Sequence, residues 1–203
     1  MADIIDSRSY QQKELSTNFK KIIDKINKSH PKYFFSPLTV TLGDEFQGVP
    51  RNLTAATNTI FDIEEELIKK KSGFKLRYVL AEGKIETPIN PDIAYGMMGP
   101  GLTASRNLLD ELKKTKTRFN IELKDPSISQ ALNNAYFVAQ SFIDTWKLEK
   151  DYKIISEFLT VNDYKIVADK LLTDRSQIWK RARTLKIEPY LSIKDVIKFI
   201  AKN

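Results

Sequence analysis

Two short acidic motifs near the start of the chain carry residues that could bind a divalent cation. The first is "ADIIDSR", which contains Asp3, and the second is "LTVTLGDEFQGVP" (38–50), in which Asp44 and Glu45 follow Gly43 between two apolar stretches. Carboxylate oxygens are ligands that Mg²⁺ and Mn²⁺ prefer. Asp is also a common turn residue, because its side chain bonds to the nearby backbone. The hairpin alone therefore leaves a metal site and an ordinary turn both open.

A second group of candidate residues lies in "YKIVADKLLTDRSQIWKRARTL" (164–185), which has the spacing of a helix-turn-helix. The second predicted helix leaves basic and polar side chains for solvent or DNA: Arg175, Ser176, Gln177, Lys180, Arg181 and Arg183. Arg, Gln and Ser suit base edges in a groove, and Lys or Arg suit phosphates. The alternative is a helical hairpin that only packs on the rest of the protein. Leu172 stands where this motif usually has a glycine in its turn.

Charge and composition favour a globular protein with a basic C-terminal segment. The 203 residues carry a net charge of +7 and include no cysteine, which excludes disulfides and thiolate metal sites. Residues 147–203 hold 13 Lys and Arg against 8 Asp and Glu, a net of +5, which leaves +2 for the rest. We expect a cytoplasmic protein, since the sequence shows neither a signal peptide nor a membrane span.

The order of predicted elements in the first half is strand, helix, strand, strand, helix, strand. Apolar residues repeat with helical spacing from Leu15 to Ile26, and a second helix is expected over roughly 52–70, with its acids Asp62, Glu64, Glu65 and Glu66 mostly on the outer surface. This order is the split βαβ unit of a ferredoxin-like fold. It predicts an antiparallel sheet with helices on one face, and it places Asp3 near the hairpin.

The remaining chain is predicted to be a glycine-rich loop, a helix, one more strand and then helices throughout. The loop holds Gly96, Gly99 and Gly101, and the strand covers 117–123. We therefore predict an α+β protein with a palm-like domain over 1–125 and an all-α domain over 126–203 that contains the helix-turn-helix at 164–185.

Taken together, these motifs resemble a known family. "ADIIDSR" and "TLGDEFQG" are similar to the two metal-carboxylate motifs of the class III nucleotide cyclase palm, "LRYVLAEGKIETP" resembles the palm strand that follows, and "YGMMGPGLTASRNLL" resembles its glycine turn and helix. Over its whole length the chain resembles the SatD family, which joins such a palm-like half to a C-terminal helix-turn-helix.

The resemblance implies roles for individual residues. Asp3 and Asp44 would be paired ligands of Mg²⁺ or Mn²⁺, with the carbonyl of Ile4 as a further ligand and Gly43 and Glu45 beside a bound nucleotide. Arg106 aligns with the cyclase arginine that stabilises the transferring phosphate, but Leu102 replaces the asparagine expected four residues earlier.

Three functions are compatible with these observations. The leading hypothesis is a DNA-binding regulator, acting as a homodimer because two recognition helices usually meet successive faces of the major groove. The alternative is a metal-dependent nucleotide cyclase or nucleotidyl transferase that takes a nucleoside triphosphate. A partner-binding protein whose palm-like half has lost its chemistry is the third.

Overall fold

A computed structural model describes residues 1–202, and over these residues the chain forms one five-stranded sheet and eight α-helices. The sheet has the order β2-β3-β1-β4-β5. Its strands are β1 (Ala2–Ile4), β2 (Phe34–Val40), β3 (Glu45–Pro50), β4 (Leu76–Ala81) and β5 (Phe119–Glu122). The predicted α+β class is confirmed.

The helices account for most of the remaining chain. They are α1 (Gln12–Ser29), α2 (Leu53–Lys69), α3 (Pro100–Leu112), α4 (Pro126–Ile143), α5 (Leu148–Thr160), α6 (Tyr164–Lys170), α7 (Arg175–Thr184) and α8 (Ile187–Ile200). Among residues 1–202, none of these helices combines the length and the apolar character needed to cross a membrane.

The predicted antiparallel sheet is wrong for its last strand. Strand β1 lies between β3 and β4 and is antiparallel to both, but β5 is parallel to β4, with Tyr78 opposite Phe119. Helix α3 connects β4 to β5 and returns the chain to the same end of the sheet, so the two strands run in one direction. The sheet is therefore mixed.

The prediction of helices on one face is also wrong. Successive residues of a strand point to opposite faces, and on β4 Tyr78 joins the main core whereas Val79 packs with Leu109 and Leu112. Helix α3 thus covers the face opposite the main core. Polar side chains on that face of the sheet can therefore be enclosed beneath α3.

One continuous hydrophobic core includes residues from both predicted domains. The predicted apolar face of α1 is confirmed, since Leu15, Phe19, Ile22, Ile23 and Ile26 are all buried. The same core extends to Ile155, Ile178 and Ile197 in the C-terminal helices. The indole of Trp146 adds a buried hydrogen bond from Nε1 to the carbonyl of Leu185, at 2.8 Å. The division at residue 125 stays a prediction.

The prediction that the acids of α2 lie mostly on the outer surface is wrong for three of the four, and only Asp62 is partly exposed. Glu64, Glu65 and Glu66 are all buried. Glu64 accepts hydrogen bonds from the guanidinium of Arg118 at 2.5 Å and from the Tyr78 hydroxyl at 2.8 Å, and all three residues are buried. Burial raises the pKa of Tyr78 well above its usual value, with Glu64 adding to the effect.

The next two glutamates bind other elements. Glu65 forms an ion pair with Lys194 of α8, and Glu66 accepts a hydrogen bond from Lys25 of α1 at 2.6 Å. Three consecutive carboxylates therefore connect α2 to β5, α8 and α1 in turn. Helix α2 is buried nearly all round, and each charge is retained because a partner from a different element meets it.

We predict that Arg118→Ala lowers the free energy of unfolding by about 3–5 kcal/mol, because it leaves Glu64 charged in a dry interior. Urea denaturation at neutral pH measures this change. Lys20→Ala is the matched control: Lys20 pairs with Asp24 on the exposed side of α1, so its loss should cost less than about 1 kcal/mol. Equal costs for the two variants would contradict the structural role of Arg118.

Candidate functional site

The sheet register brings the predicted N-terminal site residues together. Asp3 of β1 lies directly opposite Glu45 of β3, so both point to the face that α3 covers. Both are buried, with 7% and 3% of their surface exposed. The Ile4 amide donates to the Asp44 carbonyl at 2.9 Å, which places Asp44 beside them. Gly43, immediately before Asp44 and Glu45, has a positive φ of 82°, a conformation that favours glycine.

Arg106 reaches this acidic pair from α3. Its two terminal nitrogens donate to the two carboxylate oxygens of Glu45, forming a bidentate ion pair. The hydrogen bonds to Glu45 raise the pKa of Arg106 above its usual value. The Arg106 side chain is partly exposed and the carboxylate of Glu45 is enclosed. The arginine predicted to be catalytic thus faces the predicted acids.

Two further cationic side chains, which the sequence motifs did not indicate, lie at this site. Nη1 of Arg77 is 3.5 Å from Oδ2 of Asp3, and Nζ of Lys113 is 3.7 Å from the same oxygen. Strand alternation gives a signal for Arg77, since it lies between Leu76 and Tyr78 and must point away from the main core. Lys113 follows α3 and reaches Asp3 only because α3 packs on β4.

Asp3 combines burial with an incomplete set of hydrogen bonds. Burial raises the pKa of Asp3, the positive charges of Arg77 and Lys113 lower it in part, and the negative charges of Glu45 and Asp44 raise it again. Its Oδ1 atom is buried and has no hydrogen-bond partner among the described residues. A buried acceptor without a partner is costly. This oxygen is therefore a buried acceptor with free capacity for a ligand.

As arranged, these residues do not fit a divalent ion well. Arg106 occupies both oxygens of Glu45, and Oδ2 of Asp3 faces two cations. Within residues 1–202, no group of three His, Asp or Glu side chains is positioned to hold a metal. An ion bound by Asp3 and Asp44 could use only Oδ1 of the Asp3 carboxylate, because Oδ2 of Asp3 faces the two cations. The predicted Mg²⁺ or Mn²⁺ stays a prediction.

The predicted helix-turn-helix segment consists of α6, a short turn and α7. Each helix begins with an aspartate whose carboxylate accepts from two backbone amides, Asp163 for α6 and Asp174 for α7. Between them, Leu172 adopts a positive φ of 50° and is 94% exposed. The left-handed conformation therefore falls at the position where the motif usually has glycine, although the residue is leucine.

Helix α7 presents most of its predicted DNA-binding residues to solvent. Ile178 anchors the helix in the core, whereas Arg175, Ser176, Gln177, Lys180 and Arg183 are exposed. Arg175 pairs with Asp169 at 3.1 Å, and the Arg183 guanidinium lies 4.8 Å from the centre of the Trp179 ring. Ser176 donates from Oγ to the capping Asp174. Lys180, at the centre of this face, is exposed and lies within salt-bridge distance of no acid among residues 1–202, although its charge acts on Asp174.

Arg181 differs from the other five predicted residues. It is partly buried, and its Nε and Nη2 both donate to Oδ1 of Asp151, a buried residue of α5. This contact fixes α7 against α5. The sequence does not reveal it, because Asp151 lies thirty residues earlier in the chain.

Comparison with known proteins agrees with the resemblance of the whole chain. A family model described as the SatD family matches residues 1–200. The chain belongs to the SatD family. No curated protein and no solved structure matches this SatD chain. Its similarity to class III nucleotide cyclases stays a prediction.

We predict that the stability difference between the wild-type protein and Asp3→Asn depends on pH. The pKa of Asp3 is raised in the folded state. Its favourable contribution to the free energy of unfolding is therefore greatest below the usual pKa of 3.8 and is lost as the pH rises through the higher folded pKa. The wild type should therefore lose stability relative to Asp3→Asn between pH 4 and pH 7. Urea denaturation of both proteins across this range measures the change; the opposite slope would show that the cations dominate over burial.

Proposed function

We propose that this SatD protein is a DNA-binding regulator that reads duplex DNA with the exposed face of α7. The observation that carries the proposal is the α6–turn–α7 geometry. A seven-residue helix, a turn with Leu172 in the left-handed conformation and a ten-residue helix follow one another, and the polar face of the second helix is exposed. This arrangement supports a helix-turn-helix in which α7 enters the major groove.

The charges of α7 support the same proposal. From Arg175 to Lys186 the chain has five basic residues and no acid. Lys180 is free for a phosphate, and Gln177 and Ser176 lie at the N-terminal end of the helix, which usually contacts base edges. In this proposal the main role of Arg181 is to hold α7 against α5 through its ion pair with Asp151.

The proposal includes a homodimer and a palm-like N-terminal half. One recognition helix in each chain favours two copies on a two-fold operator. The order β2-β3-β1-β4, with α1 and α2 as the connections, supports a ferredoxin-like unit with one added strand, as in a nucleotide cyclase palm.

We predict that the protein binds duplex DNA at low salt and that Lys180→Ala combined with Arg183→Ala weakens this binding. Fluorescence anisotropy across a salt series measures the affinity. Each lost phosphate contact should reduce the slope of log K against log salt by about 1, so the double variant should lose about 2.

The matched control is Lys13→Ala combined with Lys28→Ala, which removes two exposed positive charges from α1. Its affinity and salt slope should equal those of the wild type. Absence of DNA binding at low salt would remove the proposal. An equal loss in both double variants would mean that only net charge matters.

A second candidate function is nucleotide binding at the cluster of Asp3, Glu45 and Arg106. The unpartnered Oδ1 of Asp3 favours it, as do the partly exposed cations Arg106 and Lys113, which suit phosphate oxygens. A metal-dependent cyclase or nucleotidyl transferase is the enzymatic form of this candidate. It requires Arg106 to exchange Glu45 for a phosphate.

We predict for this candidate that ATP or GTP raises the melting temperature, and more so with Mg²⁺ or Mn²⁺ present. A ligand at a hundred times its Kd stabilises the fold by about 2.7 kcal/mol. Asp44→Asn should lose the metal-dependent part, whereas Asp195→Asn on the exposed side of α8 should retain it. Chromatography of the reaction mixture reports whether a cyclic product forms. No shift with any nucleotide would exclude binding at this cluster.

A further inference from the structure

A groove runs along helix α1 on the side that faces the end of α2. One wall is a stripe of α1 from Gln11 to Lys25, and the other is the chain from Glu66 to Gly73. A helical stretch of this length measures about 20 Å. The groove has a volume of about 620 Å³, which lies within the range of small-molecule sites.

One contact bridges the groove at each end. The Tyr10 hydroxyl donates to the Gly73 carbonyl at 2.8 Å, and Nζ of Lys25 donates to Oε2 of Glu66 at 2.6 Å. The two walls are therefore antiparallel and are held together at both ends, which leaves the space between them open. The apolar part of the lining comes from the buried side chains of Leu15, Ile22 and Phe74.

Exposed lysines line both walls of the groove. Lys21 lies on α1, and Lys70 and Lys71 lie on the opposite wall. Nζ of Lys71 is 5.4 Å from the centre of the Tyr152 ring on α5, so Lys21 and Lys70 are better placed to act on the groove. Counting every charged residue of the lining, four lysines stand against two glutamates. An excess of positive charge in a concave site attracts an anion.

Glu66 supplies the groove with a buried acceptor. The residue is only 5% exposed, and its Oε1 atom has no hydrogen-bond partner among residues 1–202. A buried acceptor without a partner is costly, and a ligand that carries an O–H or N–H group would satisfy it. Lys25 covers the carboxylate with a side chain that is 55% exposed and flexible, which a ligand can displace.

We propose that this groove, here called the α1 groove (10–25 and 66–74), binds a small phosphomonoester whose neutral part carries a hydroxyl or N–H group. The phosphate lies between Lys21 and Lys70, which donate charge-assisted hydrogen bonds from opposite walls. A phosphomonoester carries about −1.5 to −2 charges at neutral pH, which matches two lysines. The neutral part lies over the apolar lining and donates to Glu66.

The α1 groove is separate from the cluster of Asp3, Glu45 and Arg106. Helix α1 packs in the main core on one face of the sheet, whereas α3 covers that cluster on the opposite face. A ligand in the α1 groove therefore does not depend on the nucleotide site considered above.

Titration calorimetry and NMR of the whole protein test the proposal with three probes: inorganic phosphate, glucose-6-phosphate and guanosine monophosphate. At least one ester should bind saturably and shift the amide signals of Lys70, Ser72 and Gly73, but not those of Asp44 and Glu45. Inorganic phosphate should bind at least about tenfold more weakly, because it cannot also donate to Glu66. The tighter ester identifies a sugar or a nucleoside as the neutral part.

The proposal is overturned if neither ester binds, if the shifts occur only at Asp44 and Glu45, or if inorganic phosphate binds as tightly as both esters.

Substitutions on the two walls test the assigned roles. Lys21→Ala combined with Lys70→Ala should weaken binding of the ester at least about tenfold, because two charge-assisted hydrogen bonds are lost. Lys13→Ala combined with Lys28→Ala removes the same charge from exposed positions of α1 and should retain the affinity, as should Asp44→Asn. An equal loss in the two lysine pairs would mean that net charge alone attracts the ester, which overturns the site.

Glu66→Met removes the buried acceptor but keeps the length of the side chain. The preference for the ester over inorganic phosphate should then disappear, and this ratio is insensitive to the change in net charge. A melting curve of the variant shows that it is folded. An unchanged preference in the folded variant would overturn the role of Glu66.

Discussion

The ion pair between Glu64 and Arg118 connects the parts of the molecule that the sequence keeps apart. Glu64 lies on α2, in the middle of the core, and Arg118 immediately precedes β5 at the edge of the sheet. The Nε atom of Arg118 also donates to the Leu76 carbonyl of β4 at 2.9 Å. Removing either charge would leave the other buried without an ionic partner, so this contact stabilises β5 in its position next to β4. The contact thus supports the pairing of β5 with β4, the two strands that α3 connects.

The placement of α3 in turn determines the character of the polar cluster on the other face of the sheet. Asp3 and Glu45 lie side by side, and their repulsion would be large if they were alone beneath α3. Arg106, Arg77 and Lys113 supply three positive charges around Asp3, Asp44 and Glu45. The cluster is balanced within the chain. Any anion that binds there competes with Glu45 for Arg106, and any cation competes with the same basic side chains.

The C-terminal helices are attached to α2 and α4 and do not form an isolated bundle. Lys194 of α8 meets Glu65, the hydroxyl of Thr54 donates to the Ala201 carbonyl at 2.8 Å, and Trp146 donates to Leu185. Helix α7 is fixed within this group by Ile178 and by the pair of Arg181 with Asp151. These contacts join the sheet, α2 and the C-terminal helices into one packed unit.

The sequence by itself determined the elements and their order, because apolar periodicity and turn residues are local properties. It predicted the buried face of α1, the hairpin at Gly43 and the closeness of Asp3 to that hairpin, and it placed the chain in the SatD family. Tertiary structure alone decided the parallel β5, the second covered face, the burial of Glu64, Glu65 and Glu66, and the contact of Arg181 with Asp151. The reason is that a charged side chain is predicted to be exposed unless its ionic partner is known. The partners of the three glutamates and of Arg181 lie from 30 to 129 residues away in the chain.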